Sequence, residues 1–222
     1  MQAEIDWILS AGVDVELDHS VSGEELARLR DEFDAVYLAI GAHSDKKLGL
    51  PGEEAPGVES AVKMLRAIGD DELPDLSGQR VCVIGGGNVA MDVCRSAVRL
   101  GADETYVLYR RSEAELPADP EEVKEAMEEG VQFRFLSAPA EIIGENGKVK
   151  AFKVEIMELG EPDAKGRRKP VGTGEFETLA VDSVIGAIGQ RVDLGRIAPE
   201  AMAFNRNGTV QADGVTYQTA QP

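Results

Sequence analysis

The residues able to do chemistry in this chain gather between Arg80 and Arg111. Four apolar residues, Val81 to Ile84, run into Gly85-Gly86-Gly87-Asn88-Val89-Ala90, and Asp92 follows two positions later. Glycines spaced as Gly-x-Gly-x-x-Ala suit a turn that offers backbone N–H groups to the pyrophosphate of a dinucleotide. Gly85 allows the sharp turn, Gly87 lets the main chain approach a phosphate, and Ala90 keeps the following helix close to its strand. A helix starting at Asn88 would add unpaired N–H groups and the positive end of its dipole. About 20 residues after such a turn, a site for NAD usually carries an acidic residue that accepts from the ribose 2′-OH. Here Tyr109-Arg110-Arg111 stands in its place. Two guanidinium groups pair with a 2′-phosphate, so NADP(H) is favoured over NAD(H). The plainer alternatives are a structural turn and two solvated arginines.

Other reactive residue types offer less. Cys82 and Cys94 form no C-x-x-C pair, which argues for core packing and against a redox disulfide or a cysteine-ligated iron–sulfur cluster within this chain. His19 and His43 are too few and too scattered for a metal site. Direct alcohol oxidation by a Tyr-x-x-x-Lys pair is set aside, because none of Tyr37, Tyr106, Tyr109 or Tyr217 has a lysine four residues on.

The elements that must position these groups are legible as patterns. Val81 to Ile84 reads as a strand buried on both faces. Val89, Ala90, Val93, Ala97 and Leu100 share one face of a helix that Gly101 ends, and Thr105 to Tyr109 reads as the next strand, completing a βαβ unit. Asp119-Pro120-Glu121-Glu122 opens a capped helix to Glu129, stopped at Gly130, and Val131 to Leu136 reads as a third parallel strand. Phe152, Val154 and Ile156 alternate with Lys153 and Glu155 as an antiparallel strand with one wet face. Phe176 to Ala180 returns beside it across a loop from Gly160 to Gly174. That loop holds Gly166-Arg-Arg-Lys169, read as a solvated hairpin tip rather than a docking site. Val181 to Gly189 is the last clear strand.

Before the glycine turn, residues 2 to 11 read as a short helix, Val13 to Leu17 as a strand, and Ser22-Gly-Glu-Glu25 as a capping box opening a helix through Leu29. Phe33 to Gly41 reads as a buried strand. His43, Ser44 and Asp45 then stand at a strand end where ligands gather, or in an ordinary polar loop. Proline and glycine punctuate residues 42 to 79 around a helical stretch from Ser60 to Ile68, a crossover between two domains. Beyond Gln190 the chain is loop-rich, with Asn207-Gly208 as a turn.

The chain has 222 residues and a formal net charge of −18. That length suits one or two domains with a buried core. The acidic balance argues against nucleic acid or an anionic membrane as partner. No apolar run approaches a membrane span and the N-terminal residues lack the regions of a signal peptide, so a soluble, cytoplasmic protein is expected.

Gly85-Gly-Gly-Asn-Val-Ala-Met-Asp92, Tyr109-Arg-Arg111 followed by Pro117-Ala118, Pro51-Gly-Glu53, and the strand endings Ala39-Ile-Gly41 and Ala187-Ile-Gly189 together resemble one family. It is the flavoproteins with two dinucleotide-binding domains, of the glutamate synthase (NADPH) small-subunit type. That group includes the corresponding modules of dihydropyrimidine dehydrogenase and of ferredoxin:NADP oxidoreductases. The resemblance covers nearly the whole chain. It implies an α/β fold: a Rossmann-like three-layer NADPH-binding domain at 75–190 with an antiparallel β insertion, flanked by remnants of an FAD-binding domain at 1–50 and 191–222, with 51–74 as crossover. It implies that Gly85, Gly86, Gly87, Asn88 and Val89 hold the pyrophosphate and that Arg110 and Arg111 hold the 2′-phosphate. Asp92 lies near the nicotinamide carboxamide by the same resemblance, with Ile188, Gly189 and Gln190 lining the other side. The plainer reading of Asp92 is a partly buried carboxylate capping or pairing locally, for instance with Arg95.

The resemblance implies hydride passage from NADPH to FAD and electrons passed on to a large synthase or other iron–sulfur electron-transfer subunit. No side chain of this chain is expected to act as nucleophile or essential acid. The family's first glycine motif for FAD, its later Gly-Gly-Asp motif and its cluster-binding cysteines are absent. The chain is therefore expected to be a fragment, with FAD belonging to the full-length parent and iron–sulfur clusters only outside it. Apolar surface left uncovered would favour a homodimer. A nucleotide-binding or interaction module without turnover is the alternative.

Overall fold

The computed structural model describes residues 2–164, 166–193 and 202–219. The chain divides into two compact units, one from Ala42 to Arg191 and one made of the residues before and after it. In chain order the elements are helices α1 (Gln2–Leu9) and α2 (Gly23–Glu32), strands β1 (Ser44–Asp45) and β2 (Val58–Ser60), α3 (Ala61–Gly69), β3 (Arg80–Ile84), α4 (Asn88–Arg99), β4 (Glu104–Leu108) and α5 (Pro120–Glu128). Then come β5 (Gln132–Arg134), β6 (Ser137–Glu145), β7 (Lys148–Pro162), β8 (Arg168–Ala180), β9 (Ser183–Gly186) and β10 (Gln190–Arg191).

The central unit is built on a parallel five-stranded sheet of order β2-β9-β3-β4-β5. Its middle strand shows why Val81 to Ile84 is apolar without interruption. Val81 and Val83 enter the cluster that includes Met64, Ala90, Met91, Val93, Cys94 and Ala97, from helices α3 and α4. Cys82 and Ile84 point the other way, into a cluster with Ile142, Val149, Phe152 and Val154 of the antiparallel sheet β6-β7-β8. Successive side chains of a strand face opposite sides, so a strand between two apolar layers must be apolar at every position. The unit therefore has three layers: helices, parallel sheet and antiparallel sheet. Connections alternate strand and helix from β3 to β5, and the antiparallel insertion then carries the chain back to β9, which lies between β2 and β3.

Local expectations hold where the signal is local. Ser22 and Ser60 cap α2 and α3, and Asp119 caps α5 with Pro120 in its first turn. Gly101 follows the C-cap of α4 with φ +89°. Cys82 and Cys94 are free and fully buried, and burial pushes both thiols up to about 12.

Several expectations need correction. Neither Val13 to Leu17 nor Phe33 to Gly41 forms a strand; both are irregular and largely exposed, with Tyr37 88% exposed. A strand exists only through a partner, and none pairs with these segments among the described residues. Phe33 instead supplies the C-cap of α2. The expected loop from Gly160 to Gly174 is mostly strand: β7 and β8 continue pairing to Pro162 and Arg168, so the turn itself is short. Residues 51–74 do more than connect, since β2 pairs in parallel with β9 at the sheet edge and α3 packs in the helical layer. His43 precedes β1, which pairs antiparallel with β10. In the other unit, α1 has no buried residue, and short bridges join Phe204 to Val210 and Ala212 to Thr219. No helix among the described residues is long and apolar enough to cross a membrane.

Candidate functional site

At the C-terminal edge of the parallel sheet, β3 ends between β4 and β9. This is the point where the chain leaves the sheet centre in both directions, and open α/β sheets hold ligands there. The Ala187 N–H donates to Ile84 O at 2.8 Å and the Gly85 N–H to Leu108 O at 3.1 Å, so the three strand ends are tied together. Gly85 has φ +146°, and a Cβ there would stand 2.3 Å from Ala187 O. Glycine is required at this position both by conformation and by the closeness of the neighbouring strand.

Gly86 is closed in from the other side. A Cβ on it would meet the Tyr109 ring at 2.6 Å and Leu116 at 2.7 Å, and its carbonyl accepts from the Ala118 N–H at 3.1 Å. Gly87 differs from both. It is the N-cap of α4, extended at φ −95° and ψ 177°, and a Cβ there would have no atom within 4 Å. It has no side chain to cap the helix, and the N–H groups of Gly87, Asn88 and Val89 have no partner among the described residues. Three free donors at the positive end of a twelve-residue helix, beside open space, form an anion cradle.

The cradle is braced by the segment after β4. Tyr109, 8% exposed, donates its hydroxyl to Glu115 O at 2.7 Å. The Glu115 carboxylate accepts from both the N–H and the Oγ of Ser112. The Asp119 N–H donates to Asn88 Oδ1 at 3.0 Å, linking the start of α4 to the cap of α5. The Asn88 side-chain oxygen is thus occupied within the protein, while its main-chain N–H stays free among the described residues. Sequence reasoning missed this bracing. Ser112-x-x-Glu115 carried a readable capping-box spacing, whereas nothing in the sequence pairs Asn88 with Asp119.

The arginine pair separates into two roles. Arg110 is exposed and makes no hydrogen bond or ion pair among the described residues. Arg111 is half-buried, its carbonyl accepts from the Leu136 N–H at 3.0 Å, and its Nε donates to Arg168 O at 3.2 Å. Asp92 lies exposed one turn into α4. The alternative of a local pairing with Arg95 does not hold: Arg95 reaches Glu125 and Glu129 of α5 and its C-cap at 2.7 and 2.8 Å. Arg99 and Arg95 hold the Glu129 carboxyl below its ordinary range. On the opposite side, Ile188 is 41% exposed, Gly189 O accepts from the Lys46 N–H at 3.0 Å, and Gln190 lies in β10. The end of β9 and the glycine turn are brought together through Gly85 and Ala187. Among the described residues, no group of His, Cys, Asp and Glu is placed to hold a metal ion.

A parallel sheet with helices on one face and a glycine turn at its switch point defines a domain of the dinucleotide-binding class. Comparison with known proteins carries this further: the chain belongs to the pyridine nucleotide-disulphide oxidoreductase family, whose pattern matches residues 1–222. It is 41% identical to the NADP(+)-dependent formate dehydrogenase subunit beta of Moorella thermoacetica, over 100% of this chain and 32% of that protein. It is 35% identical to the glutamate synthase [NADPH] small chain of Escherichia coli, over 95% of this chain and 48% of that one. The chain thus spans about a third to a half of the length of these curated relatives. In fold it is similar to Mycobacterium tuberculosis FprA, solved in complex with NADPH, with a TM-score of 0.69 and 26% identity over 82% of this chain and 55% of that one. The resemblance noted in the sequence and the α/β fold class both stand on these findings.

Proposed function

We propose that this chain is the NADPH-binding part of a flavoprotein oxidoreductase of the glutamate synthase small-chain type. The observation that carries the reading is the open N-cap at Gly87. Three unpartnered N–H groups face space that a single Cβ would enter, at the C-terminal end of the central strand. That donor set fits a pyrophosphate.

Gly85 and Gly86 shape the turn, the main chains of Gly87, Asn88 and Val89 bind the phosphates, and Arg110 with Arg111 receives the 2′-phosphate. Asp92 and the segment Ile188 to Gln190 flank the nicotinamide. When bound, NADPH supplies a hydride from its nicotinamide ring, and FAD in the longer protein accepts it. This chain's part is to bind, orient and keep the ring in register, so no nucleophile or essential acid is assigned to it.

The described residues outside the central unit do not themselves form a flavin cradle. Among those described, none makes a strand, glycine turn and helix in succession, and Trp7 is 77% exposed. We assign the residues before Ala42 and after Arg191, most of the stretches 1–50 and 191–222, to an FAD-binding domain completed by other parts of the parent protein, with the electrons passing on to an iron–sulfur subunit in the cytoplasm. The names of the relatives as subunit and small chain support a larger assembly. The apolar residues exposed outside the central unit also give a homodimer a surface to form on.

The test is a calorimetric titration with NADPH and then NADH, with Arg110→Ala as the variant. Loss of one charge-assisted phosphate contact is expected to weaken NADPH about tenfold or more and leave NADH nearly unchanged. Equal affinity of the wild type for both nucleotides would overturn the 2′-phosphate assignment, and binding of neither would overturn the site. Reduction of an artificial acceptor after addition of FAD would separate a functional oxidoreductase from a module that only binds.

A further inference from the structure

The basic tip of the β7–β8 hairpin, Arg167-Arg168-Lys169, is exposed on an acidic protein, and the proposed reaction gives it no task. It is attached to the nucleotide site at two levels. At the base of the hairpin, the Leu136 N–H donates to Arg111 O at 3.0 Å and the Met157 N–H donates to Leu136 O at 2.8 Å. This runs a main-chain ladder from Arg111 to β7. Near the tip, Arg168 O accepts from Arg111 Nε at 3.2 Å. The Arg168 guanidinium does not point to solvent as a free charge. Its Nε and one Nη donate to Gly160 O and Leu159 O at 3.1 Å each, which locks the strand carrying that carbonyl onto its partner.

Arg111 is therefore held at its main chain and at Nε, while its two Nη groups have no partner among the described residues. An arginine loses much rotamer freedom when it is ordered by a ligand, and fixing it beforehand removes that loss from binding. A carbonyl on Nε leaves the paired Nη donors for the forked contact that guanidinium makes with phosphate.

We propose that this hairpin is the specificity arm of the nucleotide site. Arg168 holds Arg111 through its main-chain carbonyl so that the Nη groups are left for a phosphate monoester on the ribose of a dinucleotide, an inference that rests on the NADPH reading above. Arg168 is a positioning residue: it acts through Arg111 and touches no ligand itself. Lys169 adds charge at the tip and takes no part in the clamp.

The experiment titrates NADPH and NADH into the wild type, Arg168→Ala, Lys169→Ala, and a variant in which residues 160–169 are replaced by an Asn-Gly turn, each checked for thermal unfolding. Arg168→Ala keeps the carbonyl but removes the two guanidinium bonds that hold its strand in place, so it is expected to weaken NADPH by up to about tenfold while changing NADH less than about threefold, as misalignment of a charge-assisted contact requires. The turn variant should reproduce that loss, and Lys169→Ala should leave the ratio of the two affinities as in the wild type. A wild-type ratio retained by both Arg168→Ala and the folded turn variant would overturn the proposal. So would a Lys169→Ala effect as large as that of Arg168→Ala, because the hairpin would then act by bulk charge. A wild type that does not prefer NADPH would overturn the underlying reading before any variant is compared.

Discussion

Exchanging Gly87 for alanine separates what the glycine turn does for the fold from what it does for a ligand. The backbone there is extended, at φ −95° and ψ 177°, which alanine adopts without strain. The added methyl meets no protein atom within 4 Å. The structural cost reduces to replacing a glycine N-cap by alanine, about 0.5–1 kcal/mol. In a protein of this size that lowers Tm by about 2–4 °C per kcal/mol. For a bound pyrophosphate the same methyl occupies the space beside the free N–H groups of Gly87, Asn88 and Val89. Pushing one phosphate oxygen off one of them forfeits a hydrogen bond to a charged group, about 1.5–3 kcal/mol. At about 1.4 kcal/mol per tenfold, Kd for NADPH rises about 10- to 150-fold. Calorimetric titration beside a thermal melt reads both quantities in one preparation. A folded Gly87→Ala variant that binds NADPH as the wild type does would refute the reasoning and move the phosphates away from this helix.

The neighbouring positions and the core give further tests. Gly85→Ala places a Cβ 2.3 Å from Ala187 O at a φ of +146°, so the end of β9 must move; about 2 kcal/mol or more of stability should be lost, read as a clear drop in Tm. Asp182 accepts from Arg80 N and Nε at 3.0 and 2.8 Å on one oxygen and from its Nη2 at 3.0 Å on the other. Both side chains are about a third exposed, so Asp182→Asn should cost about 1 kcal/mol after screening by solvent. Arg80 holds the Asp182 carboxyl below its ordinary range. Its contribution is therefore fully present above the unfolded value of about 3.9 and is lost as pH falls through the folded value, so wild type and variant should converge in acid denaturation. The Cys82 and Cys94 thiols, raised by burial to about 12, should not react with a disulfide reagent at pH 8 until denaturant is added. Because their folded values are raised, unfolded thiols ionise first above about 8.5, and stability should fall with pH from there.

What the sequence by itself determined is the βαβ unit around the glycines. An unbroken apolar run can only be a strand between two layers, a helical stripe from Ala90 to Ala97 must face that strand, and capping residues mark where helices begin; each signal spans a few residues and acts locally. Tertiary structure decided everything that depends on pairing across distance. Val13 to Leu17 and Phe33 to Gly41 have the composition of strands but no neighbour to pair with among the described residues, whereas Val58 to Ser60, in a stretch rich in proline and glycine, gains one in β9 and becomes the sheet edge. The insertion of β9 between β2 and β3 is secured by Arg80 and Asp182, 102 residues apart. At the site, the sequence placed the glycines and the arginines. Only the fold showed that the space beside Gly86 is taken by Tyr109, that the Asn88 side-chain oxygen is taken by Asp119, and that Arg111 is held by a hairpin more than fifty residues away. A side chain's task is set by which donors and acceptors its neighbours leave unpaired, and the chain brings those neighbours together only when it folds.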